Sequence, residues 1–211
     1  MTSTPATSTP ATSTEPGSAA PPESRAARLV TDHLEPKNWI LAVTLLVGWH
    51  SDGLAGVGWG LFGALFAAVI PVLFIKLGIR RGTWADRHLG KRQQRLVVMV
   101  FIICSVSTGT LLMSVLDAPS AMIALIAAMV STLVVLMAIT FTWKISVHAA
   151  VSSGSIAILA LDYGPWLLAV YPLVALVGWS RIALRDHTPA QVVAGAVLGA
   201  VVAGVTFGLL R

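Results

Sequence analysis

The sequence predicts an all-α, polytopic transmembrane bundle of six to seven helices behind a disordered N-terminal tail. Three observations carry that expectation. The chain of 211 residues is 56% hydrophobic and only 11% charged, too little charge to cover a water-soluble surface. Its mean hydropathy is +0.83. The apolar residues collect in seven runs, and most of the charges between them gather in three short knots.

The chain divides at about residue 36. Residues 2–16 read TSTPA, TSTPA, TSTEP, and similar text continues to Pro22. Such a stretch buries too little apolar area to offset its ordering entropy, so residues 1–22 are expected to be disordered. They lack the basic start and apolar core of a signal peptide. Residues 23–36 predict a short amphipathic helix on the membrane face, ended by Pro36. Residues 37–211 form the membrane domain.

The seven runs are 38–50, 54–76, 95–116, 119–141, 147–162, 165–179 and 190–210. A spanning helix needs about 20 residues. The second, third, fourth and last meet this; the first and sixth are short and need tilt or local thinning. Turn residues mark the breaks at His50-Ser-Asp-Gly53, Asp117-Ala-Pro119 and Asp162-Tyr-Gly-Pro165. Tryptophans 39, 49, 84, 143, 166 and 179 fall near run ends, as interfacial rings do. Gly195, Gly199, Gly204 and Gly208 permit close helix contact in the last run. Cys104 reads as a buried small hydrophobe.

The knots are Asp86-Arg87-His88 through Lys91-Arg92-Gln-Gln-Arg95, then Trp143-Lys144-Ile-Ser146-Val-His148, then Ser180-Arg181 through Asp186-His187-Thr-Pro. Two crossings separate each from the next, so all three fall on one membrane face. The opposite turns carry Asp52, Asp117 and Asp162 and no lysine or arginine. The net charge of +5 sits in these few loops, which excludes an extended nucleic-acid face.

Clustered Arg, Lys and His suit a phosphate or other oxyanion, because guanidinium groups offer paired donors and imidazole serves as nucleophile or proton donor. Ser146 is the expected N-cap of the helix from Val147, and Thr188-Pro189 the expected cap and first position of the last helix. Both helix starts then present amides to one place. Gln191 lies one turn past His187, near the same face.

The third knot resembles the signature of the type 2 phosphatidic acid phosphatase superfamily, which runs Ser-Arg, five residues, His, three residues, Asp. Ser180-Arg181 and His187 keep that spacing, with Gln191 where the Asp is expected. Ile145-Ser146-Val147-His148 is similar to the family's Pro-Ser-Gly-His and keeps its Ser and His. His88 and Arg95 match the spacing of Lys, six residues, Arg-Pro, with Leu96 replacing the Pro. The likeness spans residues 54–211, and the chain resembles the small bacterial, actinobacterial-type members with a WKISVHAA and HTxxQ variant.

The resemblance implies a lipid phosphate or polyprenyl (di)phosphate substrate presented from membrane lipids, with no metal and no cofactor. It implies that His187 attacks phosphorus to form a phosphohistidine and that His148 protonates the leaving oxygen and later activates water. It also implies that Arg95 and Arg181 neutralise the phosphoryl oxygens with Ser146 and Ser180, Arg92 or Lys91 supplying the cation missing at His88. Gln191 only accepts a hydrogen bond where an Asp also stabilises an imidazolium, so weaker electrostatic support is expected unless Asp186 substitutes. The alternative is a catalytically weak lipid-phosphate binding or transport protein. A haloperoxidase-like vanadate site shares this histidine-and-arginine architecture, but such relatives are soluble or peripheral.

Other polar residues have plainer expectations. Lys76, Arg80, Arg81, Arg87 and Arg185 read as topology signals, Lys144 as a snorkelling side chain, and His33 and His50 as structural or exposed. The positive-inside bias puts the knots and the tail on the cytoplasmic face of the cell membrane. With seven spans, a reporter fused after Arg211 is expected outside the cytoplasm. A cytoplasmic signal from that fusion overturns the assignment.

Overall fold

A computed structural model describes residues 24–82 and 92–211, without the side chain of Arg92. The expected disordered tail, Trp84, Arg87, His88 and Lys91 lie outside the described residues. Every regular element within them is helical.

Helix α1, Arg25–His33, starts at Ser24, whose hydroxyl accepts the Ala27 N–H at 3.3 Å. It docks on the bundle, burying Ala27 and Thr31, and leaves Leu29 exposed. Pro36, expected to end this helix, instead opens α2 (Pro36–Ala64), where a missing N–H costs nothing.

Helix α2 reverses direction in its middle. Asp52 and Gly53 leave helical geometry, Gly53 at φ 52°, a region that favours glycine. The two arms then run antiparallel with their backbones almost touching. A Cβ on Gly56 would stand 1.8 Å from the Gly48 carbonyl oxygen, and one on Gly60 2.5 Å from that of Thr44. The second arm widens into a π turn, Leu65–Val69, before α3 (Ile70–Arg80). Pro71 has no N–H for the preceding turn, and the Ser105 hydroxyl donates to the nearby Phe66 carbonyl at 2.7 Å.

The remaining helices are α4 (Arg92–Val115), α5 (Ser120–Thr140), α6 (Val147–Tyr163), α7 (Pro172–Ala183) and α8 (Pro189–Leu210). A 3-10 turn, Pro165–Val170, leads into α7, so the sixth run is not one continuous α-helix. Five helical runs, 25–80, 93–115, 120–140, 165–183 and 189–210, are long and apolar enough to cross a membrane. Helix α6 is shorter, at 17 residues. The protein is a multi-pass membrane protein.

The contacts at the two ends of the bundle fit the expected parity. At one end His50 Nδ1 lies 2.9 Å from Asp162 Oδ2, and the Tyr163 hydroxyl donates to the Leu46 carbonyl at 2.6 Å. At the other end Lys144 donates to the Asp186 carbonyl, joining the second and third knots. Cys104 is exposed on the outside of α4 and so faces lipid, contrary to the buried role expected of it.

Helix α8 is apolar all round, and side-chain size separates its faces. Val193, Val197, Val201 and Val205 point outward at 55–60% exposure, while Gly195, Gly199, Ala203 and Phe207 are buried. The small face lies along α6, and the two helices run parallel from the knot end. A Cβ on Gly195 would come within 2.5 Å of the Ser146 carbonyl oxygen, and one on Gly199 within 2.0 Å of that of Ala150. Gly199→Ala is therefore expected to destabilise the protein by about 1–3 kcal/mol through forced separation of α6 and α8. Gly204→Ala, whose new Cβ meets the Ala157 and Leu161 side chains at an ordinary 3.7 and 3.9 Å, should be near neutral. Equal unfolding midpoints for the two variants in detergent would contradict backbone contact.

Candidate functional site

Parallel packing sets the starts of α6 and α8 side by side. The Ser146 hydroxyl accepts the Ala149 N–H at 3.3 Å and caps α6 as expected. Thr188 caps α8 by accepting the Gln191 N–H at 3.4 Å, while Gln191 Oε1 accepts the Thr188 N–H at 3.2 Å. The Ser146 N–H donates to the Gln191 carbonyl at 3.3 Å and ties the two starts together.

Gln191 also fixes His187. The ring Nδ1 lies 3.2 Å from the same Gln191 Oε1. A backbone N–H only donates, so its contact identifies this amide atom as oxygen. His187 Nδ1 must then carry the proton, leaving a lone pair on Nε2. Gln191 thus supplies the orienting acceptor expected of an Asp, without the charge.

The turn before His187 is equally determined. Arg185 adopts φ 56° after the end of α7, and the Asp186 and His187 N–H groups fold back onto the Arg181 carbonyl at 3.0 and 3.2 Å. This turn aims the Asp186 carboxylate at Arg181, with Oδ2 2.7 Å from the guanidinium. Arg181 is 3% exposed, and it also reaches the Thr31 hydroxyl of α1 at 3.5 Å. Thr31 donates in turn to Ser180 at 3.1 Å, and Ser180 to the Val177 carbonyl at 2.7 Å.

A cleft of about 410 Å³ opens beside these groups, lined by Lys144, Arg185, Asp186, His187, Thr188 and Gln191. Of the residues expected to form a site, His187 and Gln191 line it. Arg181 lies beneath it, engaged by Asp186. Ser146 and Ser180 are fully buried, with hydroxyls committed to a cap and to the Thr31 contact. His148 is half-buried in the first turn of α6, outside the lining. Arg95 is half-buried near the start of α4, close enough to Lys144 to disfavour its charge. Arg92 opens α4, its side chain not described; His88 and Lys91 lie outside the described residues.

Sequence reasoning missed Lys144 and Thr31 as members of this cluster. Lys144 stands two residues before an N-cap, which was the available signal. Thr31 sits in an amphipathic helix with nothing to mark its polar contact. His50 and His33 are structural, as expected; His33 Nδ1 lies 2.8 Å from the Leu29 carbonyl oxygen.

Burial, and then the nearby Lys144 ammonium, lower the His187 pKa to about 4, although the Gln191 hydrogen bond opposes them. Lys144 itself is held below the usual lysine range by burial and by Arg95. His187 is consequently a neutral base at neutral pH. Between about 4 and 6.5 an unfolded chain holds a proton that folded His187 does not, so acidification through that window destabilises the fold. NMR titration of the ring should give a midpoint near 4. Gln191→Glu should raise that midpoint by about 1 unit or more by placing a carboxylate on Nδ1. A midpoint at the ordinary histidine value in the unaltered protein contradicts this geometry.

In comparisons with protein families, with curated proteins and with solved structures, nothing matches this chain. The cleft holds a neutral, oriented imidazole beside an ammonium, at two adjoining helix starts.

Proposed function

We propose that this membrane protein is a phosphatase acting on a lipid phosphate or a polyprenyl (di)phosphate through a phosphohistidine at His187. One observation carries the reading: Gln191 fixes the His187 proton on Nδ1, so Nε2 keeps its lone pair in a cation-lined cleft. The signature-like spacing of Ser180, Arg181 and His187, and of Ser146 and His148, supports it.

In the proposed reaction Nε2 attacks phosphorus, and the bond to the leaving oxygen breaks as His148 donates a proton to that oxygen. Water then attacks the phosphoryl group while His148 takes its proton. The N–P bond breaks, and inorganic phosphate leaves with the imidazole restored. A cleft at the membrane surface suits a substrate whose tail stays in the bilayer. We place it on the cytoplasmic face, on the bias of Lys76, Arg80, Arg81 and Arg185.

A second reading, a lipid-phosphate binder or transporter, is favoured by the engagement of Arg181 with Asp186 and by the uncharged Gln191. Purified protein is expected to release phosphate from phosphatidate, phosphatidylglycerol phosphate or polyprenyl phosphates without added metal. His187→Ala should lower the rate by about a thousandfold or more, as loss of a covalent nucleophile does. Release unaffected by that change sinks the mechanism, and binding without turnover selects the second reading.

A further inference from the structure

The sequence motif assigns the phosphate contact of the third knot to Arg181, yet the side chains divide the work differently. Arg181 is 3% exposed and its Nη2 lies 2.7 Å from Asp186 Oδ2. The carboxylate is 39% exposed and stands on the outer side of that pair. An anion entering the cleft meets Asp186 before it meets Arg181, and a negative group repels it. The other side of the guanidinium is closed by Thr31 of α1.

Lys144 is placed in the opposite way. It lines the cleft with His187 and Gln191, and its ammonium is steadied by a neutral acceptor, the Asp186 carbonyl. It makes no ion pair among the described residues, because the Asp186 carboxylate is taken by Arg181. Two of the three ammonium protons remain for another acceptor. Burial first, and then neighbouring positive charge, depress the basicity of both Lys144 and His187, against an opposing pull from the Asp186 carboxylate.

We propose that Lys144 is the cation that receives the phosphoryl group at His187, and that Arg181, tied to Asp186 and Thr31, is a structural tether holding the His187 turn and α1 together. The inference rests on the cleft being the phosphate site proposed above. It identifies as a binding group a residue that the motif spacing leaves out. It also gives α1 a purpose beyond lying on the membrane face, since Thr31 completes the tether.

Inorganic phosphate binding by the full chain in detergent, followed through the His187 ring resonances, tests this apart from any turnover. Lys144→Gln is expected to weaken phosphate binding about tenfold or more, as loss of a charge-assisted contact does, with an unchanged unfolding midpoint. Lys144→Arg should recover much of that loss. Arg181→Gln is expected to lower the unfolding midpoint by several degrees while weakening phosphate less than about threefold. The proposal is overturned if Lys144→Gln binds as the unaltered protein does, if Arg181→Gln carries the larger loss of affinity, or if the unaltered protein shows no phosphate-dependent shift. Phosphate bound through Lys144 with no release from any lipid phosphate would leave this inference standing and remove the hydrolase reading.

Discussion

The contact between α6 and α8 at Gly195 and Gly199 is the constraint on which the rest of the arrangement depends. Lipid tails are as apolar as leucine, so helices in a bilayer gain little from apolar burial and associate through close packing and polar contacts. Here the approach is near enough that a methyl group at Gly199 would collide with the Ala150 backbone. Because the two helices are parallel, this contact also aligns their N-termini, and the Ser146 N–H reaches the Gln191 carbonyl. Lys144, just before one cap, and His187 and Gln191, on either side of the other, are thereby brought to one cleft. The outward valines of α8 meet lipid, and the inward glycines set the geometry of the site.

Charge is distributed around that cleft according to depth. A guanidinium as buried as that of Arg181 needs a partner, since an isolated buried charge costs several kcal/mol or more. Asp186 and the Thr31 hydroxyl provide partners, and the resulting network joins α7, the turn before α8 and α1. Lys144, nearer the surface, makes no ion pair among the described residues and donates to the Asp186 carbonyl instead. The polar cluster therefore separates into an inner pair, Arg181 and Asp186, and outer cations, Lys144 and Arg185, that line the cleft. The strained left-handed Arg185 is the local cost of aiming Asp186 inward and His187 toward Gln191.

Much of this was legible from residues alone because it depends on local rules. Apolar run length located the helices, and Ser146 and Thr188-Pro189 marked two starts to the residue. Counting crossings put the second and third knots on one end. The four-residue offset from His187 to Gln191 brought them to one face. Other features were not legible because they depend on long-range placement. Nothing near Arg181 says that its own downstream Asp186 would turn back to hold it, since that requires the positive φ at Arg185. Nothing in residues 25–33 says that Thr31 would dock instead of facing lipid headgroups. Pro36 was ambiguous in itself: proline stops one helix and starts another equally well, and only the docking of α1 decides between them.

The glutamine at 191 changes the balance of the proposed reaction without removing its geometry. A carboxylate on Nδ1 would raise the basicity of His187 and stabilise the imidazolium-like charge that forms as Nε2 bonds to phosphorus. Gln191 keeps the tautomer and the orientation but returns no charge, and burial, with Lys144 repulsion added, leaves the ring a weak base with a pKa of about 4. A weaker base is a poorer nucleophile, which slows the attack on phosphorus. The same property makes it a better leaving group when water displaces it from the phosphohistidine. In the proposed reaction Lys144 compensates by drawing the phosphoryl oxygens to the ring. On that proposal the cation beside the histidine carries a larger share of the first step because the carboxylate is absent.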